Sequence, residues 1–212
     1  MRVYLLPGIA CDHRLFDRID LPDHETVALD WPAFPEGCTL RSIAEELAKQ
    51  VDATQPHVLV GVSMGGMVAQ ELAVLTDPKK VVLISSWTGP QEQPPSLAIF
   101  KLLRSWLVIN SFTMWATWPV KRFLGKRDRA ADKLLYAMAV SEGPAKIRIG
   151  FKAIIQWKGS LWKGPVVRIH GDKDMVTPLR FPVDFVVKGG DHVMILTRAE
   201  EVSGLIRKAI NA

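Results

Sequence analysis

Short apolar runs recur along the chain, each followed by a turn and then by apolar positions at helical spacing. Arg2–Leu6 (RVYLL) reads as a strand running into Pro7-Gly8, and Thr26–Leu29 (TVAL) as a second strand ended by Asp30-Trp31-Pro32. From Leu40 to Asp52 the side chains of Leu40, Ile43, Ala44, Leu47, Ala48 and Val51 repeat every three or four residues, which predicts one buried helix face. Thr39 is placed to cap that helix. Val58–Val62 (VLVGV) has no polar position and reads as a strand covered on both faces. Gly65–Leu75 predicts a helix stopped by Asp77-Pro78, and Val81–Ile84 (VVLI) a further strand. After a long interval come two more strands, Val166–Ile169 (VVRI) and Phe185–Val187 (FVV), and a closing helix over Ala199–Ile210. Strands alternating with helices predict an α/β fold, a mostly parallel six-stranded sheet with helices on both faces. In such sheets ligands bind beyond the carboxyl ends of the strands, so chemistry is expected in the residues that follow each one.

Charge marks off the interval. Residues 88–163 hold thirteen Lys and Arg against four Asp and Glu, a net of +9, although the whole chain carries only +5. Five of the seven tryptophans fall there too, and Gly89-Pro90 and Gly164-Pro165 frame it. Such a shift predicts a structural unit inserted between residues 1–87 and 164–212. With 48% apolar residues over 212, the rest has the profile of an ordinary globular domain, and no window approaches eighteen uninterrupted apolar residues. The opening MRVYLLPGIAC is too short and too early broken by Pro7-Gly8 to act as an export signal, so a cytoplasmic protein is expected. Cys11 and Cys38, without a C-x-x-C, predict neither a disulfide scaffold nor a zinc site. There is no phosphate loop, no H-E-x-x-H and no other metal-ligand spacing, so no cofactor and no metal are expected.

The strand ends carry the chemistry. VLVGV turns through Gly61-Val62-Ser63-Met64-Gly65-Gly66 into a helix, a G-x-S-x-G elbow between the strand and the helix it requires. A serine there occupies a strained backbone at a tight turn, so its neighbours two residues away must lack bulk. The first strand ends in Pro7-Gly8-Ile9-Ala10, a turn able to present the Ile9 N–H beside the Met64 N–H as an oxyanion hole. A serine hydroxyl needs an imidazole base, itself oriented by a carboxylate. His13, His24 and His57 precede the elbow and His170 sits at a strand end, which leaves His192, in Gly190-Asp191-His192 after the last strand. The strand before it ends in His170-Gly171-Asp172-Lys173-Asp174, offering Asp172 or Asp174 as the carboxylate.

With that elbow and those two loops, in the order Ser…Asp…His, essentially the whole chain resembles the α/β-hydrolase superfamily. It is similar to small carboxylesterases, enol-lactonases and carbon–carbon-bond hydrolases. The resemblance implies Ser63 as nucleophile, His192 as base, and Ile9 and Met64 as oxyanion donors. The family's Gly-x-x-Asp pattern falls on Gly171 to Asp174, which makes Asp174 the acid and Asp172 the lesser choice. The alternative acid position after VVLI holds Ser85, Ser86 and Trp87, none of them a carboxylate. Two departures stand out. The first predicted strand, Arg2–Leu6, is the one that precedes the oxyanion loop, so a sheet without the family's usual two leading strands is expected. About eight residues separate Asp174 from the next strand, too few for the usual crossover helix.

The family places a helical lid at residues 88–163. Segment Leu97–Leu124 is rich in Leu, Ile, Phe and Trp and carries only Lys101, Arg104, Lys121 and Arg122 as charges. Its apolar side can simply cap the sheet, or form an acyl pocket whose basic rim receives an anionic substrate or an acidic carrier protein. No motif supports nucleic acid as a partner. The expected activity is hydrolysis of esters or thioesters of small to medium hydrophobic acids. The alternatives are enol-lactone or carbon–carbon cleavage on the same residues, or ligand binding without catalysis.

Overall fold

The run His57–Val62 is buried along its whole length, its apolar side chains facing both core layers and the His57 ring bonded to Gln55 O and Thr76 Oγ1, and it lies inside a six-stranded sheet. In this computed structural model, which describes residues 1–116 and 129–211, the strands are β1 (Arg2–Leu6), β2 (Glu25–Ala28), β3 (His57–Val62), β4 (Lys80–Ile84), β5 (Val166–Gly171) and β6 (Phe185–Val187). They lie in the order β2-β1-β3-β4-β5-β6, and all five pairings are parallel. Registers of Leu6 with Gly61, Val62 with Ile84 and Gly171 with Val187 bring the strand ends level, so the loops after them meet along one edge.

Alternation along each strand divides the core into two layers. Val3, Leu5, Val58, Val60, Val82 and Ile84 face one way, onto Val202, Ile206 and Ala209 of the closing helix Ala199–Asn211. Tyr4, Leu6, Leu59, Val81 and Leu83 face the other, onto helices α1 (Leu40–Ala48) and α2 (Met64–Thr76). Helix α1 begins where the sequence places it, in a capping box between Thr39 and Ser42. It ends before the predicted Asp52, because the N–H groups of Gln50 and Val51 bond three residues back and tighten the last turn. Helix α2 stops at Asp77, whose left-handed backbone returns its N–H to Ala73 O.

Within 88–163 the described elements include helices Pro95–Leu102, Arg129–Glu142 and Pro144–Gln156. Ala131, Leu135 and Met138 join the first core layer, and Ala153, Ile154 and Trp157 the second. The cations Lys121, Arg122, Lys126 and Arg127 lie outside the described residues. Among the described residues no helix is long and apolar enough to cross a membrane.

The link from β5 to β6 has no helix, as the sequence suggests, although ten residues rather than eight follow Asp174 before β6. Residues of β5 hold it instead. The Arg168 N–H donates to Asp184 Oδ2 (2.7 Å), and the Arg168 guanidinium lies 4.0 Å over the Phe181 ring. Phe181 meets the His170 ring edge-on, at 5.4 Å between centroids. A bidentate pair with Glu92 (2.8 and 2.6 Å) fixes the guanidinium.

Candidate active site

Between β3 and α2 the chain must reverse within one residue, and Ser63 is that residue, at φ 53° and ψ −119°. A non-glycine residue held there costs about 1–3 kcal/mol. The strain persists because the packing around it is close: a Cβ on Gly61 would strike the backbone of Gly65, one on Gly65 would strike the carbonyls of Leu6 and Pro7, and one on Gly66 the side chain of Ser86. The Ser63 N–H donates to Ile84 O (2.9 Å), and its carbonyl accepts from Ser86 Oγ (2.7 Å). Both backbone groups of the elbow are therefore held by β4 and the residues just after it.

The loop after β6 carries His192 back across the sheet edge. Asp172 Oδ1 accepts the Gly189 N–H (2.5 Å), and Lys173 N–H donates to Gly190 O (2.9 Å), so the β5 loop grips the His192 loop. His192 Nε2 lies 3.1 Å from Ser63 Oγ and Nδ1 lies 2.9 Å from Asp174 Oδ2. An ionised carboxylate can only accept, so Nδ1 carries the ring proton and Nε2 offers its lone pair to the Ser63 hydroxyl. Of the two sequence candidates, Asp174 meets the imidazole; Asp172 is spent on the neighbouring loop.

The Asp174 side chain is fully buried, and its oxygens are all engaged. Oδ1 accepts the N–H groups of Val176 (2.9 Å) and Thr177 (2.8 Å); Oδ2 accepts the Thr177 hydroxyl (2.7 Å) and His192 Nδ1–H. Burial alone would raise its pKa, but the His192 contact and the Thr177 donors outweigh burial and hold the carboxyl at about 2. It is therefore an anion throughout the pH range in which a neutral imidazole is present.

A second histidine stands behind it. His170 is 1% exposed, its Nε2 lies 2.6 Å from Thr177 O and 3.5 Å from Asp174 Oδ2, and the carbonyl fixes the proton on Nε2. Burial pushes its pKa down, against the carbonyl and Asp174, which work to raise it. An unfolded chain takes up this proton near pH 6.5 and the folded chain does so only at lower pH. Stability should thus fall as pH drops below about 6.5, until the buried ring itself protonates. His170→Gln keeps a donor for Thr177 O but does not titrate, so its denaturation midpoint should fall less than the parent's between pH 7 and 5. Parallel midpoint curves would refute this origin.

The turn after β1 lies against Ser63: a Cβ on Gly8 would sit 3.6 Å from that of Ser63. Gly8 O accepts the Cys11 N–H (3.2 Å) and Trp31 Nε1–H (3.1 Å), which pins the turn at Ile9, and Ala10 follows at φ 63°. Met64 is the first residue of α2, where a backbone N–H has no acceptor within its own helix. The structure thus brings Ser63, His192 and Asp174 into one hydrogen-bonded chain, with Met64 next to the serine at the start of α2 and the Gly8 turn that leads into Ile9 packed against it. Thr177, His170 and Ser86 also touch the site; the sequence shows His170 only as a strand-end histidine and Ser86 only as a residue without a carboxylate, and gives Thr177 no role. The one local signal for Thr177 is a general one: an Asp side chain can accept N–H groups two and three residues on, here those of Val176 and Thr177, as in Asx turns.

Residues 3–205 match the model of a family described as the Alpha/beta hydrolase family. Three solved structures share the architecture at identities that speak for the fold. A thermophilic esterase from Thermogutta terrifontis is 19% identical with a TM-score of 0.79, over 100% of this chain and 89% of that one. An esterase from Exiguobacterium antarcticum is 14% identical, also at 0.79, over 100% and 92%. A hydrolase from Pseudomonas aeruginosa is 18% identical at 0.78, over 100% and 90%. No curated protein matches the sequence.

Proposed function

The chain belongs to the alpha/beta hydrolase family, and from that premise we propose that it is a serine hydrolase cleaving carboxylic esters or thioesters of small to medium hydrophobic acids. The observation that carries the reading is the unbroken chain from Ser63 Oγ through His192 to Asp174, at 3.1 and 2.9 Å. Ser63 Oγ attacks the carbonyl carbon while its proton passes to His192 Nε2, and Asp174 stabilises the imidazolium that forms. The negative oxygen of the tetrahedral intermediate rests on the N–H groups of Ile9 and Met64. Collapse breaks the bond to the alcohol or thiol, which leaves with the proton from Nε2. Water then attacks the acyl-Ser63 ester and gives its proton to the same nitrogen, which passes it to Ser63 Oγ as the bond to the acyl group breaks and the acid leaves. Apolar groups beside the oxyanion turn support a hydrophobic acyl chain: Ile9 and Phe34 both abut the helix Pro144–Gln156 at Gly150. Cys11 and Cys38 are free and buried, which suits a protein working in the cytosol.

A fluorophosphonate tests Ser63 as the nucleophile, and a substrate panel tests the class. The expected result is a single adduct on Ser63, with turnover of esters and thioesters rising with acyl length before falling. A folded protein that takes no adduct would instead be a ligand-binding member of the fold. Preference for enol-lactones or carbon–carbon substrates would change the bond cleaved and leave the residues in place.

A further inference from the structure

We infer that Thr177 is a positioning residue of this site, its hydroxyl governing how strongly Asp174 supports a charged His192. The inference rests on the hydrolase reading above. Thr177 uses every polar atom it has on the groups around the imidazole. Its N–H donates to Asp174 Oδ1 (2.8 Å), its hydroxyl to Asp174 Oδ2 (2.7 Å), and its carbonyl accepts His170 Nε2–H (2.6 Å). The hydroxyl oxygen also lies 3.3 Å from His192 Nδ1, 3.3 Å from Ser85 O and 3.5 Å from His170 Nε2. One hydroxyl has one proton, and the shortest contact is also the one to a charged acceptor, so the proton goes to Asp174.

That oxygen is the one His192 uses. The Thr177 hydroxyl and the imidazole N–H therefore share a single carboxylate oxygen in a water-poor pocket, where each bond is felt strongly. Charge drawn toward the hydroxyl is charge withheld from the imidazolium. The other titratable groups about the ring are His170 of β5, behind Asp174, with Arg168 further along that strand, and Asp191, whose Oδ1 accepts the Val193 N–H. None of these is altered by a change at Thr177 that keeps its shape. Removing the hydroxyl should leave Asp174 a stronger partner for the protonated ring. The site would then need a higher pH to free Nε2 for Ser63.

The test is the rate at which a fluorophosphonate labels Ser63, followed from pH 5 to 9, in the parent and in Thr177→Val, Thr177→Ser and Thr177→Cys. This readout needs no knowledge of the substrate. Thr177→Val should move the acid limb of the profile up by about half a pH unit or more. Thr177→Ser, which keeps the donor, should overlay the parent, and Thr177→Cys, a weaker donor of similar size, should fall between them. A limb that stays in place in Thr177→Val, with or without a lower plateau, overturns the inference and leaves Thr177 a purely structural residue. If the valine variant does not fold, an unmoved limb in Thr177→Cys has the same meaning. A parent that takes no label at any pH defeats the hydrolase reading first, and this inference with it.

Discussion

Ser63→Ala and His192→Ala should each lower ester turnover by about 10⁴- to 10⁶-fold, and the double variant should be little worse than either single one. The reason is geometric. Ser63 Oγ loses its proton to the one nitrogen of His192 that faces it, and that nitrogen is free to accept because the other is tied to Asp174. Either residue alone is idle, so the second removal has nothing left to take away. Both variants should fold, since the Ser63 hydroxyl's one hydrogen-bond partner among the described residues is His192, and alanine meets the same backbone strain as serine. Ser63→Gly makes an internal control. Glycine adopts a positive φ without steric cost, so this variant should be as inactive as Ser63→Ala and have a higher melting temperature. Steady-state turnover and thermal unfolding of the four proteins decide the matter. Multiplicative losses in the double variant, or a Ser63→Ala protein that keeps most of its activity, would show that the reaction runs elsewhere.

The sheet was legible in the sequence because burial on both faces leaves a signature that propensity alone does not. Val58–Val62 and Val81–Ile84 are apolar at every position, and the structure places both strands inside the sheet. Strand ends then read as site positions, which sets Ser63, His192 and the pair Asp172 and Asp174 along one sheet edge, and the resemblance to the family selects Asp174. Three features escaped for physical reasons. The end of α1 depends on a change from four-residue to three-residue bonding, which an apolar period does not record. The contacts that hold the link between β5 and β6, a link whose length already predicts that it has no helix, come from Arg168, Phe181 and His170 packing on one another, residues too far apart in sequence to form a local pattern. Thr177 stands three residues after Asp174 and looks like any turn residue until the carboxylate folds back onto its own loop.

That fold-back also determines what an amide does in place of the acid. In Asp174→Asn, the side-chain oxygen belongs where Oδ1 now accepts two backbone N–H groups, from Val176 and Thr177. The amide nitrogen then takes the place of Oδ2, facing His192 Nδ1. A donor there obliges Nδ1 to accept, and the ring proton moves to Nε2, where it points at Ser63 Oγ and the base is lost. Turnover should fall by about 10⁴-fold while the loop keeps its shape, with the Thr177 hydroxyl turning to Ser85 O, 3.3 Å away. Asp172→Asn should behave quite differently. Its Oδ1 accepts the Gly189 N–H, and an amide oxygen does the same, so the grip on the His192 loop survives and turnover should change by less than about tenfold. The two variants carry the same change of charge two residues apart, which removes net charge as an explanation for any difference between them. Turnover of one ester at pH 8, with circular dichroism to establish that both proteins are folded, ranks them. A larger loss in Asp172→Asn would mean that the imidazole in solution is held by Asp172, and that the β5–β6 loop, lacking its crossover helix, adopts another arrangement when the enzyme works.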